Sequence, residues 1–103
     1  MVVGAWRLLL PADFAEYLSD SKGYFGGAEL VCDDKRFMLD FYEPVRLAQT
    51  IADEIASVGY FFEKNVVVVP SVTHAEMLNA LRKLLRADGH LDLVPETNSN
   101  SVT

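Results

Sequence analysis

Three side chains of this sequence have the strongest intrinsic claim to catalysis or metal binding: His74, His90 and Cys32. Neither histidine belongs to an H-E-x-x-H pattern, and Cys32 has no second cysteine with which to form a ligand spacing. His74 stands at the start of a helical pattern and His90 directly follows Gly89, so both read as surface polar residues. Cys32 falls on the inward side of an alternating apolar run, which suits a structural thiol. A reactive thiol needs a cationic or helix-terminal setting, and only Lys35 and Arg36 offer one nearby. No catalytic residue, metal ligand or cofactor site follows from these three.

The carboxylates are more informative. Residues 28–33 and 36–42 alternate apolar and polar side chains around Asp34 and Lys35, the pattern of an antiparallel hairpin. A tight turn there pairs Cys32 with Phe37, Leu30 with Leu39 and Ala28 with Phe41, placing six apolar residues on one face. The same register sets Glu29 directly opposite Asp40, and like charges across strands repel. Asp33 lies close by opposite Arg36, Val31 and Met38 lie between, and Tyr42 lies beyond. A face of this composition suits a cationic partner, unless Arg7 or Arg46 of the chain itself neutralises it. An acid/base role for Glu29 and Asp40 would need a deep cleft, for which a domain this small has little room. Asp53 and Glu54, on the exposed side of a later helix, would extend the acidic surface. Tyr24 and Phe25 sit between glycines in residues 23–27. That run precedes a strand instead of opening a helix, the wrong order for a phosphate cradle, so its aromatics read as candidate contact anchors.

The elements that must hold these residues can be read in turn. Residues 2–10 read as a strand ended by Pro11, which disfavours helix at the residue before it. Residues 11–20 read as a short helix, with Phe14, Tyr17 and Leu18 on one face. After the hairpin, Pro44 opens a helix whose stripe is Ala48, Ile51, Ala52, Ile55 and Val58, closed by Gly59. Residues 66–69 are four valines, the signature of a parallel strand buried on both faces. Thr73 and Glu76 form a capping box for a last helix carrying Met77, Leu78, Leu81, Leu84 and Leu85. Gly89 closes it, and residues 91–94 read as a final strand. The expected fold is α/β (α+β): a mixed sheet in which an antiparallel hairpin is followed by β-α-β-α-β, with helices mainly on one face. Residues 1–95 form one domain and 96–103 a polar tail.

Half of the 103 residues are hydrophobic and 23% are charged, the composition of a globular chain. Fifteen acidic residues against nine basic ones give a formal charge of −6. That balance argues against binding nucleic acid or an anionic membrane, which need clustered Lys and Arg, and suits a basic protein partner. One cysteine excludes an internal disulfide. The apolar start is too short for a span and lacks a basic n-region, so the expected location is the cytoplasm.

Two stretches, residues 40–55 (DFYEPVRLAQTIADEI) and 59–93 (GYFFEKNVVVVPSVTHAEMLNALRKLLRADGHLDL), resemble small bacterial immunity proteins of contact-dependent inhibition and related polymorphic toxin systems. The likeness lies in a short, acidic, stand-alone α/β chain with aromatic-rich joints. It implies a cytoplasmic protein, monomeric or weakly dimeric when free, that binds a cognate toxin domain, often a nuclease, and blocks its active site or its access to substrate. The expected contacts are Glu29, Asp33, Asp40 and Tyr42, with Asp53, Glu54, Tyr24 and Phe25 around them. Two other functions compete. A homodimeric adaptor would use Tyr60, Phe61 and Phe62, which need not all fit inside, and a small enzyme would use the Glu29–Asp40 pair.

Overall fold

The alternating hairpin anchors the whole architecture. The computed structural model describes residues 2, 3 and 5–96. Five strands form one sheet in sequence order: β1 (Val2–Val3), β2 (Trp6–Leu9), β3 (Tyr24–Cys32), β4 (Lys35–Tyr42) and β5 (Val66–Val68). The first four pair antiparallel and β5 adds parallel to β4. Three helices, α1 (Glu16–Lys22), α2 (Pro44–Val58) and α3 (His74–Arg86), fill the connections. The fold is therefore the expected mixed α+β sheet. In place of one strand over residues 2–10, two short strands pair with each other. The first helix begins at Glu16 instead of at Pro11, and residues 24–27, expected as a loop, belong to β3.

The hairpin register differs from the expected one. Cys32 pairs with Lys35, Leu30 with Phe37 and Ala28 with Leu39. The turn is Asp33-Asp34, with Asp33 at φ 52°, a conformation aspartate adopts more readily than most residues. The slip is by two residues, so the apolar side chains keep their face. At Gly27, φ 84°, the strand bulges and its alternation flips. Beyond the bulge Phe25 pairs with Phe41 on the core face, and Tyr24 pairs with Tyr42 on the other.

Leu8, Ala28, Leu30, Phe37, Leu39 and Phe41 of the sheet pack against Met77 and Leu81 of α3. Ser19 of α1 is buried and donates its hydroxyl to the Val72 carbonyl at 2.9 Å, tying α1 to the approach of α3. The Thr73 hydroxyl accepts the Glu76 N–H as the capping box requires. α2 lies beside the opposite face, where Arg46 sits 6.0 Å over the Tyr24 ring, and none of its side chains is buried.

Two expectations fail at the C-terminal side. Residues 91–94 form no strand; Gly89–Asp92 is a 3-10 turn. The Asn65 side chain takes the place of a ladder there. It accepts the Val94 N–H at 2.8 Å and donates to the carbonyls of Val94 (2.8 Å) and Met38 (3.0 Å). Among the described residues no strand pairs with the outer side of β5, so β5 is an edge and Val68 is 48% exposed instead of buried on both faces. Asn65→Ala is expected to cost about 1–2 kcal/mol and to accelerate amide exchange at Val94, read by hydrogen exchange. Of the expected tail only Glu96 lies within the described residues; its N–H donates to the Arg36 carbonyl at 2.7 Å. Among the described residues no helix is long and apolar enough to cross a membrane.

Candidate functional site

Glu29 and Asp40 do not face each other. Glu29 pairs with Met38, and its diagonal neighbour Arg36 forms an ion pair with it at 2.5 Å. The chain's own arginine thus neutralises Glu29, and the expected repelling pair does not exist. Asp33 lies in the exposed turn beyond the ladder, not opposite Arg36, whose strand partner is Val31.

Asp40 belongs to a different cluster. It pairs with Gly26, and the bulge at Gly27 directs the Gly27 N–H toward its Oδ1 at 3.4 Å. A side chain at residue 26 would collide with the Tyr24 hydroxyl and, at 2.9 Å, with Asp40 Oδ1. Only glycine leaves room for both groups over the strand. β5 pairs Asp40 with Val66, which carries Glu63, three residues earlier, to the same place. Glu63 comes close enough to Asp40 for the neighbouring carboxyl to raise its pKa together with burial, and the Tyr42 hydroxyl donates to Glu63 Oε2 at 2.7 Å. The Tyr24 and Tyr42 rings lie 4.8 Å apart behind the pair. Among the described residues neither Asp40 nor Glu63 makes an ion pair with a lysine, arginine or histidine.

Two carboxyl groups side by side favour the state in which one keeps its proton. Burial first, and then the neighbouring Asp40 carboxyl, with Glu54 further off, push the Glu63 pKa up to about 7, against the pull of the Tyr42 hydroxyl bond. Both phenols are held neutral. Burial and the Glu63 bond raise Tyr42, while burial and the charges of Asp40 and Glu63 raise Tyr24 against Arg46. The pair is thus a half-buried acid that gains a second negative charge near neutrality. A carboxyl whose pKa is raised on folding stabilises the fold fully below its unfolded value, near 4.5, and loses that contribution as pH rises through about 7. Solvent screens the site, so the loss is about 1 kcal/mol. Between pH 5 and 8, Glu63→Gln is expected to show a flatter stability profile than the parent chain in urea titrations at each pH.

The remaining candidates are dispersed. Phe25 is not an exposed anchor, since it packs on the core with its ring edge-on to Phe14 at 4.8 Å. Tyr42 is buried, and its hydroxyl is taken by Glu63. Tyr24 is half-buried beside Arg46. Asp53 and Glu54 are exposed on α2 as expected. His74 stacks on Phe14 at 4.8 Å and its N–H donates to Glu16, while His90 lies 5.3 Å from the Trp6 ring. Glu63 was not expected in the site. Its one sequence signal is an acidic residue lodged between an aromatic run and a valine strand.

No family model, curated protein or solved structure matches this chain.

Proposed function

We propose that this chain is an immunity-type protein that binds a basic toxin domain and neutralises it, with the Asp40–Glu63 pair as the charged centre of the contact. The supporting observation is that Glu63 sits beside Asp40 with its pKa pushed up to about 7, and that neither carboxyl has an ion-pairing cation of its own among the described residues. A lysine or arginine from a partner would relieve their repulsion and let both ionise. Asp53 and Glu54 add negative field nearby, and the net charge of −6 speeds encounter with a basic surface. A nuclease toxin fits this chemistry because it must present cations to hold phosphates. Glu29, already paired with Arg36, drops out of the contact. The likeness of residues 40–55 and 59–93 to immunity proteins points the same way. The test is to identify the gene beside this chain and, where it encodes a large secreted protein, to co-express that protein's C-terminal domain with this chain. Cells carrying that domain alone should stop growing, and cells carrying both should grow. Continued arrest with both present would refute the proposal.

A further inference from the structure

Of the stripe expected to bury α2, only Ile51 is half-buried; Ala48, Ala52, Ile55 and Val58 point outward. The half-buried positions of the helix are Arg46, Leu47, Thr50 and Ile51, which face the sheet. Val45, Ala48, Ala52, Ile55 and Val58 recur at three- and four-residue spacing and are all exposed, Val45 by 64%, Ile55 by 53% and Val58 by 56%. They form an apolar band about 20 Å long. Tyr60, 66% exposed, continues it past the helix end. An amphipathic helix normally turns such a band inward, and an exposed apolar patch on this scale marks a docking surface.

Charge selects the occupant. The carboxylates of α2 itself, Asp53 and Glu54, make no ion pair among the described residues. The nearby cations are engaged: Arg46 with Thr50 and the Tyr24 ring, Lys64 with Glu96 at 3.7 Å. A second copy would bring the same surplus of negative charge, −6 against −6. Residues 97–103 contain one apolar side chain, Val102, and continue from Glu96, which is fixed beside Arg36. One valine cannot cover a band of five apolar side chains. We infer that the outer face of α2 docks a basic partner protein through an apolar ridge flanked by lysine or arginine, in the helix-on-helix manner of amphipathic targets. This inference rests on the toxin-binding proposal and locates the apolar half of its contact.

The probe is a synthetic amphipathic peptide of leucine and lysine, about 14 residues long to match the band, titrated into the isotope-labelled full chain and followed by amide NMR shifts. Shifts confined to α2 and residues 60–62 are expected, with affinity about tenfold weaker in Ile55→Ser/Val58→Ser. Both positions are exposed, so the variant should keep the parent spectrum elsewhere. The inference is overturned by shifts elsewhere, by no binding, by an equal response to a leucine–glutamate peptide, or by unchanged affinity in the variant. Sedimentation showing a parent dimer that the same variant dissolves would also overturn it, because a second copy would then be the occupant. The neutralising function is read separately by co-expression. Growth rescue by the parent chain, with unchanged peptide affinity in the variant, would remove the α2 surface and leave the function standing.

Discussion

Phe41→Ala is expected to leave a substantial fraction of the chain unfolded at physiological temperature. Phe41 is fully buried in β4, the strand that joins the antiparallel and parallel halves of the sheet. Phe25 flanks it across one ladder and Val67 across the other, and α3 covers the same core. Truncation removes a ring that these neighbours cannot close over, at a cost of about 3–5 kcal/mol. A domain of this size has about 5–15 kcal/mol in total. Ile55→Ala on α2 is the matched comparison. Half-exposed and outside the core, it should change stability by no more than about 0.5 kcal/mol. Urea midpoints of the two variants against the parent give the contrast, and a costly Ile55→Ala would mean that α2 is packed after all.

The second large effect concerns the partner. Asp40→Lys/Glu63→Lys should weaken binding to a basic toxin domain by at least about 100-fold, or about 3 kcal/mol, because two attractions become two repulsions at a partly desolvated centre. The loss should fall partly on the association rate and should shrink with added salt. Two lysines at these positions repel each other as two carboxylates would, so Asp40→Asn/Glu63→Gln, which leaves no like-charged pair, is the variant that separates lost binding from lost folding. Glu29→Gln offers a contrast. It lies on the same sheet face but is neutralised by Arg36, so binding should change little. A calorimetric titration of the parent and the three variants at one salt concentration separates these outcomes.

Part of this was legible in the residues. Strict alternation in residues 28–42 identified the hairpin and its core face, and a two-residue slip leaves that assignment intact. The slip was decided by turn chemistry, Asp33 accepting a left-handed backbone, and by the bulge at Gly27. Alternation carries no information about either. Glu29 against Asp40 was therefore a product of register, while Asp40 with Glu63 is a product of the parallel crossover. Residues 40 and 63 meet only once β5 has chosen β4 as its neighbour. The α2 stripe was read correctly at Ala48, Ala52, Ile55 and Val58, while Ile51 faces the sheet and Val45 joins the outer band. What periodicity could not supply was its direction: hydrophobic spacing shows that a helix has an apolar face, not that its own domain covers it. The expected last strand failed because Asn65 supplies, through one amide side chain, the hydrogen bonds that a sixth strand would have supplied.

The proton that Glu63 holds up to about neutral pH gives the most direct access to the central claim. If a partner's cation sits on the pair, binding must drive that proton off, because the Glu63 pKa falls from about 7 when an opposite charge arrives. Calorimetry of the chain with its toxin domain at pH 7, repeated in buffers of different ionisation enthalpy, counts the protons released. A net release in the parent chain that vanishes in Glu63→Gln is the predicted result. Tight binding with no proton exchange, or with the same exchange in Glu63→Gln, would show that the partner docks elsewhere.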